Sequence, residues 1–247
     1  MENKIRACCF DLGNTLNNDT LLTQESVKLM AHRLADQGAI SSPELFISTY
    51  NTINQNTQQP FYSHTFGEEE FFRLTFKELG ISRLSPQQAL EEYRKIVNDQ
   101  SSLEPQVLRT MEYLSSQGVR RVLLSNERAA RVDAYLSTTG LGLCLDEVIV
   151  SETVGVEKPN PTIFRETLKR LKITSSEAGS VLMFGDNSIA DGACKREGLR
   201  FVLVTGYRSR SWYFERGDEF TPDYEIEFVT PKTVAALIGR PLKDELN

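Results

Sequence analysis

Apolar positions along this chain follow two different spacings. Short runs of β-branched and aliphatic residues mark six strands: Ile5–Phe10, Val119–Leu124, Glu147–Val150, Ser180–Phe184, Arg200–Val204 and Tyr224–Phe228. Between most of the later runs the spacing changes to three and four. Val107, Leu108, Met111 and Leu114 repeat at helical intervals before the second run, with Gly118 as the stop. Ile163, Phe164, Leu168 and Leu171 repeat in the same way after Pro161. Strand and helix in alternation is the pattern of an α/β protein with a parallel, doubly wound sheet.

The stretch between the first two strands breaks this alternation. Residues 17–104 hold no convincing strand and carry helical stripes instead: Val27, Met30 and Leu34; Phe72, Phe76 and Leu79; Leu90, Tyr93 and Val97. SSPELF, at 41–46, has the punctuation of a helix start, and NTINQNTQQP, at 51–60, reads as a helix end and loop. A structureless connection of that length is foreign to a compact domain. The expected organisation is therefore an α/β core from 1–16 and 105–247, with an all-helical domain, 17–104, inserted after the first strand.

Composition narrows the function classes. The 247 residues have a formal charge of -6, so nothing steers the whole molecule toward nucleic acid or anionic lipid. No apolar run approaches membrane-spanning length, and the first residues lack the apolar stretch of a secretory signal. KDEL is followed by Asn247 and is not a terminal retention signal. The four cysteines, Cys8, Cys9, Cys144 and Cys194, have no metal-finger spacing. With His32 and His64 as the whole histidine complement, a histidine metal site or a Ser-His-Asp triad is not expected. The chain reads as cytosolic, and its oligomeric state is not readable.

Ligands of open α/β sheets bind beyond the carboxyl ends of the strands. Asp11 follows the first strand, Ser125-Asn126 the second, Lys158 (in GVEKPNP) the loop after the third, and GDNSIAD, with Asp186 and Asp191, the fourth. Each has a plain alternative: a turn-forming aspartate, a helix cap, a solvated lysine, a capped turn. Their order at four strand ends favours chemistry. A carboxylate nucleophile, a hydroxyl, a lysine and an acidic pair suit phosphoryl transfer, with Mg²⁺ between carboxylates that would otherwise repel.

The pattern resembles the haloacid dehalogenase-like (HAD) superfamily of hydrolases over essentially the whole chain. DLGNT aligns with the family's DxDx[TV], Ser125 with its second motif, Lys158 within EKPNPTIF with its third, and Gly185–Asp191 with its GDxxxxD. The resemblance implies a Rossmannoid core with a helical cap at 17–104. It also implies an aspartyl-phosphate mechanism on a small phosphorylated metabolite. Asp11 would be the nucleophile and Mg²⁺ ligand, and Ser125 and Lys158 would hold the phosphate. Asn126 would shape the phosphate pocket. Asp186 would bind Mg²⁺ with the carbonyl of Gly13, and Asp191 would support the metal's waters or orient Lys158. GACKREG is expected to continue as a helix.

Gly13 departs from that pattern. Most family phosphatases carry there an aspartate that protonates the leaving group and then activates water, help typically worth about 10²–10⁴-fold. Three readings follow. One is a phosphatase for esters whose leaving group needs little protonation, such as sugar 1-phosphates or acyl phosphates, or one that takes its acid from a cap residue or water. A second is a dehalogenase or phosphonate-cleaving branch of the family, the latter needing a cap lysine such as Lys28, Lys77 or Lys95. The third is a phosphate-binding or regulatory protein with little turnover. Substrate choice is expected to reside in the cap, where PFYSHTF (60–66) reads as core of the helical domain or as a source of contacts. The amphipathic segment 206–220 borders the site or a subunit contact, or is a surface loop.

Overall fold

In the computed structural model, residues 4–57, 68–207 and 220–240 are described. The segments PFYSHTF and most of 206–220 lie outside them. Six strands form one sheet: β1 (Ala7–Phe10), β2 (Arg120–Ser125), β3 (Glu147–Val150), β4 (Val181–Gly185), β5 (Arg200–Val204) and β6 (Tyr224–Ile226). The order is β3-β2-β1-β4-β5-β6 and every pairing is parallel. Phe10 at the end of β1 aligns with Leu123 on one side and Phe184 on the other. The order reverses between β1 and β4, where a doubly wound sheet opens a crevice for ligands. The strands lie within one or two residues of the apolar runs, because a parallel strand buried on both faces must be nearly continuous in hydrophobicity.

The pleat divides these strands between two cores. Cys8, Phe10, Leu123, Leu182, Phe184 and Val202 pack with Met111 and Leu114 of α5 (Pro105–Ser116), and with Val132 and Tyr135 of α6 (Ala129–Thr139). Val234 of α9 (Pro231–Leu237) joins them. Ala7, Cys9, Val122, Leu124, Val181 and Met183 face the other way, onto Ile163, Phe164 and Leu168 of α8 (Pro161–Leu171). Successive residues on each strand alternate between the two cores, as a period of two requires. Gly118 adopts φ +65 just after α5, where a side chain would be strained, and the chain turns there into β2. One sequence expectation is corrected here: Gly192–Glu197 is a 3-10 turn and not an α-helix. Gly198 at φ +81 stops it after two turns and β5 begins at Arg200.

The chain divides into two compact units, residues 1–20 with 102–247, and residues 21–101. The second unit is built on α1 (Asp19–Asp36), α2 (Pro43–Thr57), α3 (Glu68–Leu79) and α4 (Pro86–Gln100). Ser42 Oγ accepts from Leu45 N at 3.1 Å at the start of α2. Ser85 and Gln88 close a reciprocal capping box on α4. Val27, Met30, Leu34, Phe46, Phe72, Phe76 and Tyr93 form its core. Among the described residues no helix is long and apolar enough to cross a membrane.

Candidate active site

Asp11 leaves the sheet one residue after β1, and its N–H still donates to Phe184 O at 2.9 Å. The sheet therefore fixes its main chain while its side chain extends past the strand end. The next residues turn tightly. Leu16 N bonds back to Leu12 O at 3.0 Å, and the Leu12 and Leu16 side chains are buried in the core. Asn14 takes φ +53, and its Oδ1 accepts from both the N–H and the hydroxyl of Thr20 at 3.0 Å. Phe10 and Phe184 stack at 4.7 Å, bracing the two strand ends that carry Asp11 and Asp186.

The turn after β4 is equally constrained. Asn187 Oδ1 accepts from Ile189 N at 3.0 Å and Ala190 N at 2.9 Å, and Asp191 Oδ2 accepts from Asn187 N at 3.1 Å. Gly185 makes this closure possible. A Cβ there would sit 2.1 Å from Asp191 Oδ2. Asp186 is buried, and its carboxylate belongs with those of Asp11 and Asp191 to a set whose oxygens lie within 4.8 Å of one another.

Lys158 stands at the centre. Its ammonium donates to Asp11 Oδ1 at 2.7 Å, Asp191 Oδ1 at 2.6 Å and Leu124 O at 2.9 Å. The side chains of Lys158 and Asp191 are each 2% exposed and that of Asp11 14%. The solvated-lysine alternative is thereby excluded. An ammonium has three N–H groups, and all three are engaged. Burial works against its charge, but Asp11 and Asp191 more than offset that and hold it above its ordinary value. Burial pushes the Asp191 carboxyl up to about 6, against the attraction of Lys158 and with help from Asp11. The direct contacts at 2.6 and 2.7 Å hold the lysine in its charged form.

The acidic set could hold a cation. Three carboxylates face one ammonium, and all the ligating atoms are oxygens, the preference of a hard divalent ion. Within the set the roles divide. Asp191 spends Oδ1 on Lys158 and Oδ2 on the Asn187 amide, and Asp11 spends Oδ1 on Lys158. Ser125, the last residue of β2, is buried, and its Oγ accepts from Glu127 N at 3.1 Å, leaving its O–H to give. Asn126 is bonded twice to the main chain of Lys158, at 2.8 Å each.

Two features escape sequence reasoning. The Leu124 carbonyl is a main-chain group with no residue-type signal. Asp19, in the first turn of α1, lies where a side chain at Gly13 would point: a Cβ on Gly13 would be 3.5 Å from Asp19 Cβ and 3.9 Å from its Oδ2. Arg131 of α6 holds Asp19 at 2.5 Å and Glu127 at 3.5 Å. The only signal for Asp19 is an acid at a helix start, which is common on dipole grounds alone.

Residues 5–193 match the family described as haloacid dehalogenase-like hydrolase. The chain is 25% identical, over 97% of its length, to the full length of a glyceraldehyde 3-phosphate phosphatase from Methanopyrus kandleri. It is 30% identical, over 80% of its length and 83% of the relative, to a ribulose-1,5-bisphosphate 5-phosphatase from Halopiger xanaduensis. Its fold is like that of the magnesium-bound HAD-hydrolase YfnB from Bacillus subtilis. That likeness has a TM-score of 0.71 over 96% of this chain and 99% of the other, at 19% identity. The family match spans most of the chain, and the chain belongs to the haloacid dehalogenase-like hydrolases.

Proposed function

We propose that this hydrolase is a Mg²⁺-dependent phosphatase of small phosphorylated metabolites that works through a phosphorylated Asp11. The observation that carries the reading is the grip of Lys158 on Asp11 Oδ1 at 2.7 Å, beside the buried acid Asp186. Phosphatase-named relatives over most of the chain support it.

Asp11 attacks phosphorus through its carboxylate oxygen, so an O–P bond forms to the enzyme and the ester O–P bond breaks. Negative charge spreads over the phosphoryl oxygens and is met by the Lys158 ammonium and the Ser125 O–H. Water then attacks phosphorus, releasing inorganic phosphate and restoring the Asp11 carboxylate. Asp11, Asp186 and the Gly13 carbonyl would hold Mg²⁺, which would supply charge neutralisation at the phosphoryl group. Asp191 keeps Lys158 in place through the 2.6 Å contact. Because Gly13 brings no carboxyl group, the leaving oxygen departs with little protonation from the enzyme. Esters of acidic hydroxyls and acyl phosphates are therefore the favoured substrates.

The test is a phosphomonoester panel with and without Mg²⁺. Phosphate release should require the metal, and Asp11→Asn should reduce it by roughly 10⁴-fold or more. Absence of turnover on every member, with Mg²⁺ binding intact, would replace the phosphatase with a phosphate-binding protein.

A further inference from the structure

We propose that Asn126 is a positioning residue for Lys158 and not a ligand of the phosphate. Both ends of its carboxamide are committed to a single residue. Its Oδ1 accepts from Lys158 N at 2.8 Å, and its Nδ2 donates to Lys158 O at 2.8 Å. This is the paired exchange of a sheet ladder, made by a side chain. It occurs where the ladder itself has run out, since β2 and β3 last align at Ser125 and Val150. The chain then passes through α7 (Ser151–Val154) before it returns to Lys158, and Pro159 follows with no N–H to anchor the segment.

The anchoring matters because of what the side chain must do. The lysine stem is flexible, yet its ammonium meets three fixed acceptors between 2.6 and 2.9 Å. With 2% exposure it has no water to fall back on when one of them is missed. Only a main chain held at its own N–H and C=O can deliver the ammonium to Asp11, Asp191 and Leu124 together. Asn126 holds both. Asn126 spends its Oδ1 and one of its two Nδ2 N–H groups on this hold. The phosphate contact falls to the Ser125 O–H, while Lys158, its three N–H groups spent on Asp11, Asp191 and Leu124, acts through its charge.

The kinetic consequence rests on the phosphatase reading, but the geometry does not. Three readouts are needed on the full chain: steady-state kinetics with inorganic phosphate as inhibitor, thermal unfolding, and the ¹⁵N signal of the buried Lys158 Nζ group, assigned by its loss in Lys158→Met. Asn126→Ala should lower kcat by about 10²-fold, the typical cost of misplacing a catalytic group by about 1 Å. KM and the phosphate inhibition constant should change by less than about threefold, as for a group that acts on the transition state. The Lys158 Nζ signal should shift or broaden. Asn126→Asp keeps the shape and the acceptor but loses the donor, so it should fall between wild type and Asn126→Ala. It also serves if the alanine variant does not fold. A raised KM and phosphate constant, with kcat and the Nζ signal unchanged, would overturn the proposal and make Asn126 a phosphate ligand. If the wild-type protein turns over no phosphomonoester, the phosphatase reading fails, and an undisturbed Nζ signal in both variants would still overturn the strap on its own.

Discussion

The two units of this chain bury different things. In the helical unit the buried core is aliphatic and aromatic: Phe72 lies 5.3 Å from Tyr50 and 5.5 Å from Tyr93, ring to ring, with Phe46, Phe71 and Phe76 around them and Val27, Met30 and Leu34 in the same cluster. Its buried polar residues, among those described, are Ser26 and Thr75, and Thr75 bonds its own helix at the Phe71 carbonyl. The sheet unit buries Lys158, Asp186 and Asp191, and they sit at the carboxyl ends of strands. Charge is costly to bury unless it is paired, and even a paired set often stabilises no better than apolar packing would. A fold keeps such a set for what it does. The contrast therefore separates a unit organised by packing from a unit in which packing holds a cluster of buried charges in place.

The sharpest way to break that contrast is at Gly185. A methyl group there would meet Asp191 Oδ2 at 2.1 Å and Cγ at 2.2 Å, and both belong to a locked turn. Gly185→Ala should displace Asp191 from Lys158, lower kcat by about 10²-fold or more, and destabilise the fold by about 1–3 kcal/mol through overpacking. Kinetics within twofold of wild type would mean that the Asp191–Lys158 contact has no part in turnover.

Phe72→Ala probes the other unit. Removing this fully buried ring should cost about 3–5 kcal/mol in chemical denaturation and loosen amide protection in α1–α4. Molecules that remain folded should keep Mg²⁺-dependent cleavage of p-nitrophenyl phosphate. Loss of that activity while α1–α4 stay protected would place chemistry in the helical unit.

The smallest effect is expected at Gly13. A Cβ there fits, at ordinary contact distance from Asp19, so Gly13→Asp should fold. The new carboxyl group enters beside the Asp19 carboxylate, and a like charge favours the protonated form needed of an acid. Cleavage of alkyl phosphates should rise by about tenfold, a modest share of what general acids supply, while p-nitrophenyl phosphate changes little. Flat rates on the alkyl esters would mean that Gly13 does not mark a missing acid.

Much of this was legible in the sequence because its causes are local. The strands announce themselves as aliphatic runs, and Asp11, Ser125 and Asp186 can be placed by counting to the strand ends. The helical stripes of 17–104 are equally plain, since Val27, Met30 and Leu34 recur at the period of the helix they form. What was hidden depends on separation in sequence. Lys158 in KPNP looks like a surface lysine until Asp11, 147 residues away, closes on it. Asp19 reaches the space beside Gly13 through the turn at Asn14, whose positive φ no residue pattern specified. Asn126 was visible as a motif residue, but its partner is a main chain 32 positions later. The 3-10 turn at Gly192–Glu197 differs from the expected helix because composition does not distinguish six residues of one from six of the other.

The central claim is that Asp11 carries the phosphoryl group. It is tested most directly by quenching a single turnover with borohydride, which reduces an acyl phosphate to the alcohol, and then locating the change by peptide mass spectrometry. The account predicts a Mg²⁺-dependent conversion of Asp11 to homoserine, absent in Asp11→Asn. Turnover that leaves Asp11 unmodified under the same quench, or modification at another residue, would contradict it.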